Sequence, residues 1–224
     1  MSRTETRTAL IAGATGLIGN LLLQRLLNDP VYGEVRVLSR RPPSVTNAKL
    51  RVLLSDYSDL STLGEALNVD DVFCCLGTTI MTAGSRAAFE DVDYRMVVEL
   101  AQECRAAGAK RFLVVSAVGA SERAMAFYSR VKGHMERVVS ALDFEAVHIL
   151  RPSLLLGERG ERRPGEAAAQ KLAPLMAPLL SGPLARYRAV AADDVAAAMQ
   201  LLAQSGKHGV HLHHLPLSGL GERV

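Results

Sequence analysis

Short apolar runs alternate with longer amphipathic stretches along most of this chain. Residues 8–12, 35–38, 50–54, 71–76, 111–115 and 146–150 are short and mostly apolar, each the length of one strand. Between them, residues 17–27, 92–107 and 124–142 carry apolar positions at helical spacing, the first run halted near Asn28-Asp29-Pro30. Apolar strands separated by helix-length segments predict a parallel sheet covered on both faces. That is the α/β doubly wound architecture of the Rossmann fold. After Pro152 the rhythm changes. A polar loop at 159–165 precedes a helix rich in Ala and Leu, and another helix is expected over 193–204. This last third reads as a small C-terminal helical lobe leaning on the sheet.

Composition narrows the class without choosing the chemistry. The 224 residues fit one domain and need no disulfide or metal staple. A net charge of +3, spread along the chain, gives no reason to expect a nucleic-acid partner. Cys74, Cys75 and Cys104 have no metal-ligand spacing, and the first two sit in an apolar run. They read as buried hydrophobes in a reducing compartment. The N-terminal residues are polar, and the apolar stretch 172–180 is broken by Pro174 and Pro178. No membrane association and a cytoplasmic location are therefore expected.

The first strand runs into Gly13-Ala14-Thr15-Gly16-Leu17-Ile18-Gly19 and then a helix. In such a turn the first glycine makes the bend, the second lets backbone approach a pyrophosphate, and the third lets helix and strand pack closely. The helix N-terminus adds free N–H groups and a positive dipole end. The position that holds an acid in NAD-preferring proteins falls near Leu38-Ser39-Arg40-Arg41, where two arginines stand instead. A guanidinium can bind the extra 2′-phosphate, so the expected cofactor is NADP(H).

Tyr128 and Lys132 stand at i and i+4, neighbours on a helix. A nearby ammonium favours the phenolate and so tunes a group whose free pKa near 10 would make it a poor catalyst. Ser116, twelve residues before Tyr128, follows the fifth strand at the end where parallel sheets bind ligands. A hydroxyl there could polarise a substrate carbonyl.

With glycine turn, strand-end serine and Tyr-x-x-x-Lys helix in this order, the chain resembles the short-chain dehydrogenase/reductases, nearest to their short, atypical members. Ser55-Asp56-Tyr57, Cys74 to Thr79, Ser116 to Ala120, Tyr128 to Gly133, Leu150-Arg151-Pro152 and Asp194-Val195-Ala196 carry the likeness further. The resemblance implies Tyr128 as proton donor, Lys132 on the nicotinamide ribose and Ser116 on the substrate oxygen. It implies Asp56 and Tyr57 near the adenine, Leu76, Gly77 and Thr78 along the cofactor, and Pro152 and Ser153 near the nicotinamide amide. Residues 1–152 would hold the cofactor and 153–224 the substrate side. An asparagine that supports a proton relay in many members has no clear counterpart, although Asp93 lies in the relevant helix. Asp194 reads as a helix-start residue.

The activity expected is NADPH-dependent reduction of a small carbonyl compound. An NADP(H)-sensing regulator, or an epimerase or dehydratase that recycles its nicotinamide, would use the same features. Residues 154–187 are expected to form a lid with an apolar wall, or a surface for a second subunit. His208, His211, His213 and His214 suggest a solvated strand end more than a metal site, since no acid or cysteine stands nearby.

Overall fold

The computed structural model describes residues 6–156 and 188–215, and the loop and apolar helix expected within 157–187 lie outside them. Strands β1 (Arg7–Ala12), β2 (Tyr32–Ser39), β3 (Leu50–Leu54), β4 (Asp71–Cys74), β5 (Arg111–Val115) and β6 (Ala146–Arg151) form the expected parallel sheet. A seventh strand, called here β9 (Gly209–His214), pairs parallel with β6. The order is β3-β2-β1-β4-β5-β6-β9, with β7 (Leu155–Leu156) and β8 (Val190–Ala191) as a separate short pair. The direction of winding reverses between β1 and β4, which opens a crevice at their carboxyl ends.

Alternation along the strands builds two cores. Ala9 and Ile11 of β1 face helix α1 (Leu17–Asn28), together with Phe73, Leu113 and Leu150. Leu10 and Ala12 face the opposite layer with Val72, Phe112 and Ile149. That second layer holds the 3₁₀ turn Ser61–Leu67 and, beyond the single turn α2 (Ile80–Ala83), a helical stretch with three parts. They are α3 (Arg86–Glu90), a π-helical turn Asp91–Arg95, and α4 (Met96–Ala106). The helix expected over 92–107 thus begins six residues earlier, because Ser85 caps it by accepting from the Ala88 N–H at 3.1 Å. Helix α5 (Phe127–Ser140) starts three residues later than expected. Ala126 is extended, and the Arg130 guanidinium ties down the carbonyls of Ala124 and Met125 at 3.0 and 2.8 Å.

The last described helix, α6 (Ala192–Ala203), packs on α1. Asp29, just past α1, accepts from Gln200 at 2.6 Å, Gln204 at 2.7 Å and the Val31 N–H at 2.9 Å. Burial works against the Asp29 charge, but these donors outweigh it and hold its carboxyl below the usual range. Asp193 and Asp194 occupy the first turn of α6, where negative charge suits the helix dipole.

The histidine-rich end is a largely exposed edge strand, with His208 and His214 exposed, but it is solvated only in part. His211 and His213 share a face of β9, as alternation requires, but they pack half-buried against the fully buried His148 of β6. His148 Nδ1 and His213 Nε2 are 3.0 Å apart, within hydrogen-bond distance. Burial first, then the neighbouring imidazoles, pushes both His148 and His213 down to about 4.

Candidate functional site

The site starts at the turn after β1. Gly13 has φ +85°, and a Cβ there would stand 2.6 Å from the Cys75 carbonyl oxygen. A Cβ on Gly19 would run into the Gly13 carbonyl, so only glycine lets α1 lie directly on the turn. Gly16 caps α1 with no side-chain hydrogen bond, and the first turn holds no acid. Those free N–H groups and the positive helix end suit a pyrophosphate. Thr15, Gly16, Leu17 and Ile18 line a cleft of about 800 Å³, while Gly13 and Gly19 shape it from behind.

Beyond β2 a second cleft, of about 570 Å³, is lined by Arg40, Ser55, Asp56, Ser58, Asp59 and Thr62 among others. The Ser58 side chain and its N–H, the latter 2.9 Å from Oδ1, hold the Asp56 carboxyl below the usual range. Arg40 and Arg41 are both exposed, but only Arg40 lines this cleft. Tyr57 lines neither cleft. It is buried with φ +66°, and its hydroxyl donates to the Leu38 carbonyl at 2.8 Å.

Ser116, Tyr128 and Lys132 come together in the first cleft, with Leu76, Gly77 and Thr78 from the turn after β4. Ser116 lies one residue past β5, and α5 delivers the other two from successive turns. The Tyr128 ring rests on Phe89 of α3, centroids 5.3 Å apart. Lys132 is only 3% exposed. Its ammonium lies 2.8 Å from Asp93 Oδ1 and donates to the Val115 carbonyl at 3.4 Å. Pro152 and Ser153 are not among the lining residues. The Pro152 carbonyl accepts from the Val118 N–H at 2.9 Å, and the Ser153 hydroxyl donates to the Arg188 carbonyl.

One carboxylate behind the site, Glu136, went unassigned from the sequence. Glu136, one turn beyond Lys132, accepts the Ser116 hydroxyl at 2.5 Å. It also takes a two-pronged bond from Arg151 at the end of β6, with Nε at 2.9 Å. The Ser116 hydroxyl thus donates to Glu136 in this structure, and its lone pairs are left for other donors. Arg151 is occupied by Glu136. The signal available was the four-residue rhythm Tyr128, Lys132, Glu136 along α5.

The fold, glycine turn and cleft define an NAD(P)H-binding Rossmann protein, and the chain belongs to that family, among its atypical short-chain dehydrogenase/reductase-like members. The matching family model, described as NAD(P)H-binding, spans residues 13–204. The chain is 37% identical over 183 residues to Protein fmp52-1, mitochondrial, of Aspergillus oryzae, covering 78% of this chain and 77% of that one. It is 34% identical over 175 residues to Protein HTATIP2 of Rattus norvegicus, covering 75% and 71%. Among solved structures, MoeE5 in complex with UDP-glucose and NAD superposes with a TM-score of 0.69 at 22% identity, over 92% of this chain and 74% of that one. The oxidoreductase ylbE from Lactococcus lactis gives 0.66 at 18%, over 92% and 89%. These two likenesses are of fold.

One expectation is overturned here. A cytoplasmic location was read from the polar N-terminus and the lack of a long apolar run, yet relatives from three fungi, Aspergillus oryzae, Aspergillus clavatus and Scheffersomyces stipitis, are named mitochondrial. An apolar run reports on membrane crossing and carries no address for a soluble compartment. Among the described residues no helix is long and apolar enough to cross a membrane.

Proposed function

We propose that this protein is an NADP(H)-dependent reductase of small carbonyl compounds. One observation carries the reading: a single cleft holds the open end of α1 together with Ser116, Tyr128 and Lys132. When bound, NADPH would supply the hydride for the new C–H bond at the carbonyl carbon, leaving NADP⁺. Tyr128 gives its phenolic proton to the carbonyl oxygen and regains one from solvent. Lys132 holds the nicotinamide ribose and fixes the charge beside Tyr128. Ser116, with its own hydrogen on Glu136, accepts from the reacting oxygen once that oxygen is protonated. The preference for the 2′-phosphate is assigned to Arg40, with the hydroxyls of Ser55, Ser58 and Thr62 in the same cleft. Residues 1–152 hold the cofactor and 153–224 complete the substrate side. Leu155, Leu156 and Ala191 to Asp193 on the cleft wall support that division.

Net NADPH consumption with a panel of aliphatic and aromatic aldehydes and ketones tests the reading and separates it from internal recycling of the nicotinamide. Tyr128→Phe is expected to keep NADPH affinity and lose about 10²–10⁴-fold in turnover. Turnover at the parent rate in that variant would remove Tyr128 from its role.

A further inference from the structure

Asp93 stands on a π-helical turn, Asp91–Arg95, between α3 and α4. Such turns are rare and are found mostly at functional sites. This one aims a carboxylate only 1% exposed into the floor of the cleft. Oδ2 accepts the Thr78 N–H at 2.8 Å, and Oδ1 faces the Lys132 ammonium at 2.8 Å. Apart from that ammonium, no donor among the described residues reaches Oδ1. Gly77 lies directly against the pair: a Cβ there would be in ordinary contact, 3.4 Å from Oδ1 and 3.9 Å from Lys132 Nζ.

We propose that Asp93 is a positioning residue that neutralises Lys132, so that Tyr128 works beside an ion pair and not beside a lone cation. The inference rests on Tyr128 being the proton donor. A lone ammonium one helical turn away would favour the phenolate, pull the tyrosine from about 10 toward 7 and so reduce the share of phenol that can give a proton. With Asp93 in place the phenol is retained, and Lys132 stays both charged and fixed. Burial opposes the Lys132 charge, but Asp93 outweighs it and holds the Lys132 pKa above the ordinary value. The remaining groups nearby do not supply this balance. Cys74 of β4 is pushed up to about 12 by burial. Glu136 of α5 is bonded to Ser116 and Arg151, and Asp193 on the far wall is paired with Arg25 at 2.6 Å. Phe89 of α3, against the Tyr128 ring, carries no charge.

The test follows tyrosinate absorbance of the full chain as pH rises, with the Tyr128→Phe signal subtracted to isolate Tyr128. Asp93→Asn keeps an acceptor for the Thr78 N–H and removes the charge. It is expected to lower the Tyr128 midpoint by about one pH unit or more. Lys132→Met, which leaves Asp93 to repel the phenolate, is expected to raise the midpoint. The double variant removes a net-neutral pair and is expected to return near the parent. An Asp93→Asn midpoint that is unchanged or raised overturns the proposal. So does a double variant that titrates like Lys132→Met alone, and this comparison decides the matter if Asp93→Asn does not fold. The titration needs no substrate. A chain that shows these shifts but consumes no NADPH refutes the reductase reading and leaves the Asp93 assignment standing.

Discussion

Glu136 shows how much of the site lives in single residues that no motif announces. It joins Ser116 from the end of β5 and Arg151 from the end of β6 to helix α5, and its own side chain is 7% exposed. Removing one partner of a buried ion pair leaves the other charge without compensation, which typically costs about 3–5 kcal/mol. Arg151 keeps 18% exposure, so Glu136→Ala is expected near the lower end, about 3 kcal/mol. Urea unfolding would show a lower midpoint at unchanged slope. The double variant Glu136→Leu, Arg151→Met is expected to recover most of the loss, because it removes both charges together. An equal loss in the single and double variants would mean that Glu136 matters through shape alone. Tyr128 and Lys132 were legible because helical spacing is local. The Ser116, Glu136, Arg151 link was not, since it depends on three elements meeting.

At the scale of elements, β9 ties pH to stability. In the unfolded chain histidine titrates near 6.5, whereas His148 and His213 are held at about 4 in the fold. Between those values the unfolded chain binds more protons. The stability contributed by the neutral imidazoles is therefore complete above 6.5 and is lost as pH falls toward 4. Urea midpoints are expected to drop through this window, and His148→Met to flatten the slope. Parallel slopes in parent and variant would show that other groups set the acid limit. The strand itself was half-visible in the sequence. The alternation of Val210 and Leu212 with His211 and His213 allowed a strand, but its partner β6 is more than fifty residues away.

For the molecule as a whole, the cofactor should act as a stabiliser, because it binds only the folded chain. At about 100 times its dissociation constant a ligand adds about 2.7 kcal/mol. Thermal melts with NADPH are expected to rise accordingly, and NADH at equal concentration to raise them less. Arg40→Ala should close that gap. Arg41→Ala should leave it nearly unchanged, since Arg41 does not line the cleft that Arg40 lines. Equal shifts with the two cofactors in the parent protein would defeat the assignment of Arg40.

The amino-acid sequence by itself determined the parallel α/β sheet, the glycine turn and the Tyr128–Lys132 pair. Each is written in short-range terms: apolar runs of strand length, three glycines within seven residues, and a four-residue helical step. Tertiary structure alone decided what stands behind those groups. The π turn that brings Asp93 onto Lys132, the Glu136 clamp on Ser116 and Arg151, and the packing of His148 beside the histidines of β9 all join residues far apart in sequence. Charge and hydrogen-bond partners are chosen by distance in space, and a buried polar group takes the partner that packing sets beside it. Local pattern could therefore name the groups facing the cleft, and only the packed fold could assign the carboxylates that hold them.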